Sequence, residues 1–121
     1  MSSSKRIIAV VDDDLRLLES LENLLESAGY EARTFSSAAA LLESGVADLD
    51  GLITDIGMPG MDGFQLRAAV QATRPGLPVF LVTGRHEIAQ RAAALAVASV
   101  LFRKPIDGQL LLAAVDKCFA T

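Results

Sequence analysis

Short runs of consecutive apolar residues alternate along the chain with stretches in which apolar residues recur every three or four positions. Ile7-Ile8-Ala9-Val10-Val11 is apolar throughout, the pattern of a strand covered on both faces. From Leu15 to Ser27 the pattern becomes helical, with Leu17, Leu18, Leu21, Leu24 and Leu25 on one face. Asp14 is placed to cap the start of that helix, and Gly29 suits its left-handed stop. The alternation then recurs: Tyr30 to Phe35 reads as a second strand, Ser37 to Glu43 as a short helix, and Gly51-Leu52-Ile53-Thr54 as a third strand. An irregular loop, Asp55 to Gly63, leads into a helix from Phe64 to Ala72 that Arg74-Pro75-Gly76 ends. Val79 to Val82 is the fourth strand, an Ala-rich helix follows from about His86 to Leu95, and Val100-Leu101-Phe102 is the fifth strand. Gln109 to Phe119 closes the chain as a helix, with Asp107 as its cap.

Five strands alternating with five helices imply an α/β fold, a doubly wound parallel sheet with helices on both faces. In such sheets ligands bind beyond the carboxyl ends of the strands, where the strand order reverses. Those ends carry a consistent set of side chains: Asp12 and Asp13 after the first strand, Asp55 after the third, Thr83 after the fourth and Lys104 after the fifth. In the flavodoxin-like order 2-1-3-4-5 all five converge on one cavity.

Three carboxylates in one cavity repel one another by roughly 4 kcal/mol per pair at about 4 Å and an effective dielectric near 20. Such a cluster calls for counter-charge. Mg²⁺ suits it, since that ion takes one or two carboxylates together with waters and phosphate oxygens. With Lys104 added, the formal charges cancel. A phosphoryl group on Asp55 would replace one negative charge by about two. The excess calls for neutral donors, which the Thr83 hydroxyl and loop amides supply. In the loop after Asp55, Gly57 leaves a backbone carbonyl unobstructed for a metal, while Pro59, Gly60 and Gly63 set a tight path into the next helix. Lys104-Pro105 is a candidate cis peptide, because such bonds occur almost only before proline.

Length and composition narrow the picture. The 121 residues suit one domain with one core, and 51% apolar against 21% charged residues excludes a disordered chain. A net charge of −4 without any Lys/Arg cluster argues against direct nucleic-acid binding. The one cysteine, Cys118, allows no internal disulfide; it is expected to pack as a small hydrophobe in the last helix, which fits a reducing cytoplasm. Met1 to Arg6 is too polar for a signal sequence, and the longest uncharged apolar stretch, Ala92 to Phe102, is too short to cross a membrane.

Taken together, Asp12-Asp13, the run from Asp55 through Gly57, Met58, Pro59 and Met61 to Asp62-Gly63, Thr83-Gly84 and Lys104-Pro105 resemble the signature of two-component response-regulator receiver domains, in order and in spacing. The resemblance runs from about Lys5 to Ala120, nearly the whole chain, and any one of the four motifs alone would be weak. It implies phosphotransfer from a histidine kinase to Asp55, Mg²⁺ binding by Asp13, Asp55 and the Gly57 carbonyl, with Asp12 assisting through water, and slow self-dephosphorylation. It also implies contacts of Thr83 and Lys104 with the phosphoryl oxygens, with Pro105 supporting the lysine.

Two positions depart from the family pattern. Receivers usually carry Tyr or Phe three residues before the lysine, where this chain has Leu101, with Phe102 one step on. Alternate strand residues face opposite ways, so Phe102 does not substitute for the missing ring. Before the fifth strand, Ala96-Val97-Ala98 stands where many receivers have a central glycine, and a different turn is expected there.

Other readings stay open at this point. Asp12 and Asp14 have the spacing of haloacid-dehalogenase-like phosphatases, although that leaves Asp55 and Lys104-Pro105 unexplained. A degenerate receiver would bind partners without phosphorylation. Arg85 is either a gate on water at the mouth of the site or an ordinary exposed arginine, and His86 reads as polar surface. Leu110, Leu111 and Leu112 cannot all face one core from a helix. The fourth helix, fifth strand and closing helix therefore present either a homodimer or partner face, or a wide buried stripe.

Overall fold

The computed structural model describes residues 5–84 and 101–119. Five strands, β1 (Ile7–Val11), β2 (Glu31–Phe35), β3 (Gly51–Asp55), β4 (Val79–Thr83) and β5 (Leu101–Arg103), form one sheet in the order β2-β1-β3-β4-β5. Every neighbouring pair is parallel. Four helices accompany them among the described residues: α1 (Leu15–Ser27), α2 (Ala38–Ser44), α3 (Gly63–Thr73) and α4 (Gly108–Phe119). The expected helix from His86 to Leu95, the roles of Arg85 and His86, the turn at Val97 and the strand residue Val100 lie outside the described residues.

Burial follows position in the sheet. Central β3 and β4 are buried at every residue and β1 at all but its first, which is why their sequences are unbroken apolar runs. The outer strands β2 and β5 are only partly covered. Alternate residues feed two cores. On one face Ala9, Val11, Leu52, Val79 and Leu81 pack against Leu41 of α2 and Leu66 and Val70 of α3. On the other, Ile8, Val10, Ile53, Phe80 and Val82 meet Leu18, Leu21 and Leu25 of α1 and Leu111 and Val115 of α4. Each such leucine, withdrawn from water, contributes about 1.5–3 kcal/mol.

The helix ends obey local chemistry. Asp14 accepts from the Arg16 and Leu17 amides at the start of α1. At its other end, Gly29 (φ 95°) and Tyr30 return their N–H groups to the Glu26 and Leu25 carbonyls. Tyr30 thus belongs to the helix stop, and β2 begins one residue later than the alternation predicts. Asp107 caps α4 through the Gln109 and Leu110 amides.

The triple leucine divides as its helical spacing requires: Leu111 is fully buried, Leu112 half-buried and Leu110 62% exposed. Cys118 corrects the expectation placed on it, because its side chain is exposed. Phe119 closes that end of the core instead, with its ring against Tyr30 and under the Arg6 guanidinium. No helix among the described residues is long and apolar enough to cross a membrane.

Candidate functional site

The order β2-β1-β3 means that the chain leaves β1 toward one side and later returns to the other, so the sheet's switch point lies between β1 and β3. Val11 and Thr54 are register partners there, and the next residue on each strand is an aspartate, Asp12 and Asp55. Both are buried; their side chains keep 3% and 7% of their accessible surface. Asp13, one residue on, is exposed, and oxygens of the three carboxylates lie within 4.8 Å of one another.

Lys104 reaches this cluster from the far edge of the sheet. Its N–H donates to the Thr83 carbonyl at 2.9 Å, which extends the β4–β5 pairing past Arg103. Its stem lies over the α-carbon of Gly84, where an added β-carbon would still clear it by 3.8 Å. The ammonium then stands 3.1 Å from Asp12 Oδ2 and 3.5 Å from Asp55 Oδ1. The Lys104–Pro105 peptide is cis, as the sequence predicts. Thr83 ends β4 and is buried. The other oxygen of Asp12 accepts from the Asp14 amide at 2.9 Å, which holds the acidic turn in shape. Asp14 itself serves α1 as its cap, accepting from the Arg16 and Leu17 amides.

The electrostatics match this geometry. Burial, then the neighbouring Asp12 charge, raises the Asp55 pKa above the ordinary carboxylate value; Asp13 adds to the rise, and Lys104 opposes it without cancelling it. For Lys104, burial alone would lower the pKa. The hydrogen bond to Asp12 and the charges of Asp55 and Asp12 outweigh burial, and the net shift is upward. The lysine is therefore charged at neutral pH, while the acidic group as a whole retains uncompensated negative charge.

An all-oxygen donor set of this kind, with one exposed member open to water, fits a hard divalent cation. Among the described residues, Asp12, Asp13 and Asp55 form a group able to hold a metal ion. Gly57 follows Asp55 by two residues, in the bend that leaves β3.

All five side chains singled out at the strand ends thus lie at one end of the sheet; Asp12, Asp13 and Asp55 cluster together, and Lys104 reaches Asp12 and Asp55. Leu101 and Phe102 take opposite faces. Leu101 packs with the α2–α3 core, and Phe102 joins the α1–α4 core with its ring 6.2 Å from that of Phe80. Motif reading missed the supports of the Asp55 main chain. The Thr54 hydroxyl donates to the Asp55 carbonyl at 3.0 Å, and a β-carbon at Gly63 would lie 2.6 Å from that carbonyl oxygen. It also missed the capping box of Asp62 and Gln65 at the start of α3, for which the three-residue spacing was a usable signal.

The family model of the response regulator receiver domain matches residues 8–116. The chain belongs to this family. It is 36% identical over 110 residues to the transcriptional regulatory protein FixJ of Azorhizobium caulinodans, covering 89% of this chain and 52% of the relative. It is 34% identical over 116 residues to nodulation protein W of Bradyrhizobium diazoefficiens, covering 94% of this chain and 51% of the relative. The chain therefore spans about half the length of these curated relatives. Among solved structures, a response regulator receiver domain protein from Clostridium thermocellum superposes with a TM-score of 0.81 at 28% identity, covering 93% of each chain.

Proposed function

We propose that this receiver domain is a phosphorylation switch in which Asp55 accepts a phosphoryl group from a histidine kinase or a phosphotransfer protein. One observation carries the reading: Asp55 ends a central strand beside Asp12, with the Lys104 ammonium 3.1 and 3.5 Å from the two carboxylates. A carboxylate oxygen of Asp55 attacks the donor phosphorus as the bond from phosphorus to the donor's imidazole nitrogen breaks. The electron pair of that bond stays with the imidazole, and Asp55 becomes an acyl phosphate. Lys104 meets the phosphoryl charge on one side, and the Thr83 hydroxyl and loop amides meet the rest.

Asp13 and Asp55, with the Gly57 carbonyl and Asp12 through water, would hold Mg²⁺. When bound, that ion neutralises phosphoryl oxygens as their charge shifts. Exposed Asp13 leaves the site open to water, and attack of water on phosphorus returns the carboxylate and inorganic phosphate. The chain acts on itself and has no outside substrate, so it is a signalling module rather than an enzyme. We place it in the cytoplasm as a single domain, core about residues 5 to 120. Leu110, exposed and apolar, is a side chain that a homodimer face on β5 and α4 would use.

The test is uptake of one phosphoryl group, read as a mass increase, from a small phosphodonor such as acetyl phosphate with Mg²⁺. Asp55→Asn is expected to abolish it. Continued uptake by that variant would remove Asp55 from its role.

A further inference from the structure

Gly63 is the first residue of α3, and its backbone is not in the left-handed region, so torsional freedom does not explain a glycine there. Space does. A β-carbon at this position would lie 2.6 Å from the Asp55 carbonyl oxygen and 2.7 Å from the Ile56 α-carbon. Both are main-chain atoms that cannot swing aside, and both distances are well inside van der Waals contact.

The main chain they belong to is also held by its own hydrogen bonds. The Thr54 hydroxyl donates to the Asp55 carbonyl at 3.0 Å. Ile56 N–H donates to the Val82 carbonyl at 2.9 Å, and the amides of Met58 and Gly63 both donate to the Ile56 carbonyl at 3.0 Å. The start of α3 is itself fixed by the reciprocal hydrogen bonds of Asp62 and Gln65, at 2.8 and 2.9 Å. Ile56 and Met58 are buried in the α2–α3 core, so the segment cannot relax outward without unpacking it.

We propose that Gly63 is a positioning residue for phosphoryl transfer. The bare start of α3 is a backstop against the main chain of Asp55 and sets where its carboxylate stands relative to Asp12, Asp13 and Lys104. This rests on the reading of Asp55 as the acceptor. A methyl group at residue 63 displaces the Asp55–Ile56 peptide by a large fraction of an ångström. Misplacement of about 1 Å at a reacting group is enough for roughly a hundred-fold loss of rate.

The experiment compares the parent chain, Gly63→Ala and Tyr30→Phe, whose altered residue lies at the opposite end of the sheet. Folding is checked by circular dichroism and thermal unfolding, Mg²⁺ affinity by titration with the metal alone, and phosphorylation by acetyl phosphate over a range of Mg²⁺ concentrations. Gly63→Ala is expected to lower the rate at saturating Mg²⁺ at least ten-fold and to weaken Mg²⁺ binding several-fold. Tyr30→Phe is expected to lose stability while keeping the parent's rate and affinity. A parent-like rate in Gly63→Ala, or an equal loss in Tyr30→Phe, overturns the proposal.

If Gly63→Ala does not fold, the double variant Asp62→Ala, Gln65→Ala loosens the same helix start without adding an atom. It is expected to slow phosphorylation several-fold, and a parent-like rate overturns the proposal equally. A parent chain that takes up no phosphoryl group refutes the acceptor reading instead. The backstop is then judged on Mg²⁺ affinity, and an unchanged affinity in the variants overturns it.

Discussion

At the end of the sheet where the strands finish, three carboxylates share one ammonium; at the end where they begin, a phenol, a carboxylate, two rings and a guanidinium are matched to one another. There the Tyr30 hydroxyl donates to Asp116, the rings of Tyr30 and Phe119 lie 6.0 Å apart, and the Arg6 guanidinium covers Phe119 at 4.5 Å. Burial and the Asp116 hydrogen bond push the Tyr30 pKa up to about 12, so the hydroxyl keeps its proton throughout the physiological range. Burial also raises the pKa of Asp55 by disfavouring its charged form, but a carboxylate, unlike a phenol, is ordinarily charged at neutral pH, so there the same effect is a cost. The far end ties the last turn of α4 to β2 and the start of β1. The acidic end keeps a charge that the fold would be more stable without. A deficit of that kind, held in place by the same sheet, is what a site awaiting a cation and a phosphoryl group requires.

The contrast breaks most readily at Lys104. In Lys104→Met the acidic group loses its ammonium, so Mg²⁺ binding is expected to tighten several-fold while phosphoryl uptake slows by roughly ten-fold or more. Metal titration and mass-resolved labelling separate the two effects. A variant in which both fall together would mean that the lysine merely supports the fold.

At the other end, Tyr30→Phe removes a hydrogen bond to a carboxylate and is expected to cost about 1.5 kcal/mol or somewhat more. The pH dependence has a definite sign. A tyrosine whose folded pKa stands above its ordinary value of 10.0 stabilises the fold fully below pH 10, and that contribution drains away as pH rises toward 12. Denaturant unfolding should therefore show a loss of stability across that window in the parent and a smaller loss in Tyr30→Phe.

The smallest effect is expected from the acidic end in the absence of metal. Because the Asp55 pKa is raised, the folded state holds the proton more tightly than the unfolded chain does. Stability from this group is present at low pH and lost as pH climbs from the ordinary 3.8 through the folded value. Metal-free Asp55→Asn should therefore melt a few degrees above the parent at pH 7, with the gap closing toward pH 4. Equal melting at both pH values would mean that the carboxylate cluster stores no strain.

Much of this was legible in the sequence, for a physical reason. Central parallel strands are covered on both faces, so Ile7–Val11 and Val79–Val82 carry unbroken apolar runs. A site built at strand ends is read by looking one residue past each run, which yields Asp12, Asp55 and Thr83 directly. Contacts that depend on how separate segments approach were not legible. Tyr30 and Asp116 are 86 positions apart, and nothing local in either marks the other as its partner. The guanidinium of Arg74 gathers the carbonyls of Val46, Ala47 and Leu49, where the sequence showed only a helix end. Cys118 read as a core residue by its type, yet Phe119 occupies the covering position and leaves it in water. Gly63 was visible as a turn glycine, but the lack of room for a β-carbon beside the Asp55 carbonyl depends on the path of the whole loop between them.

If Asp55 is the phosphoacceptor, its carboxylate is the group that carries the acyl phosphate. Borohydride reduces an aspartyl phosphate to homoserine, which marks the acceptor permanently. The chain is incubated with acetyl phosphate and Mg²⁺, reduced, digested and sequenced by mass spectrometry. Homoserine is expected at position 55, and is lost when Mg²⁺ is chelated. Homoserine at Asp12 or Asp13 instead, or labelling indifferent to the metal, would contradict it.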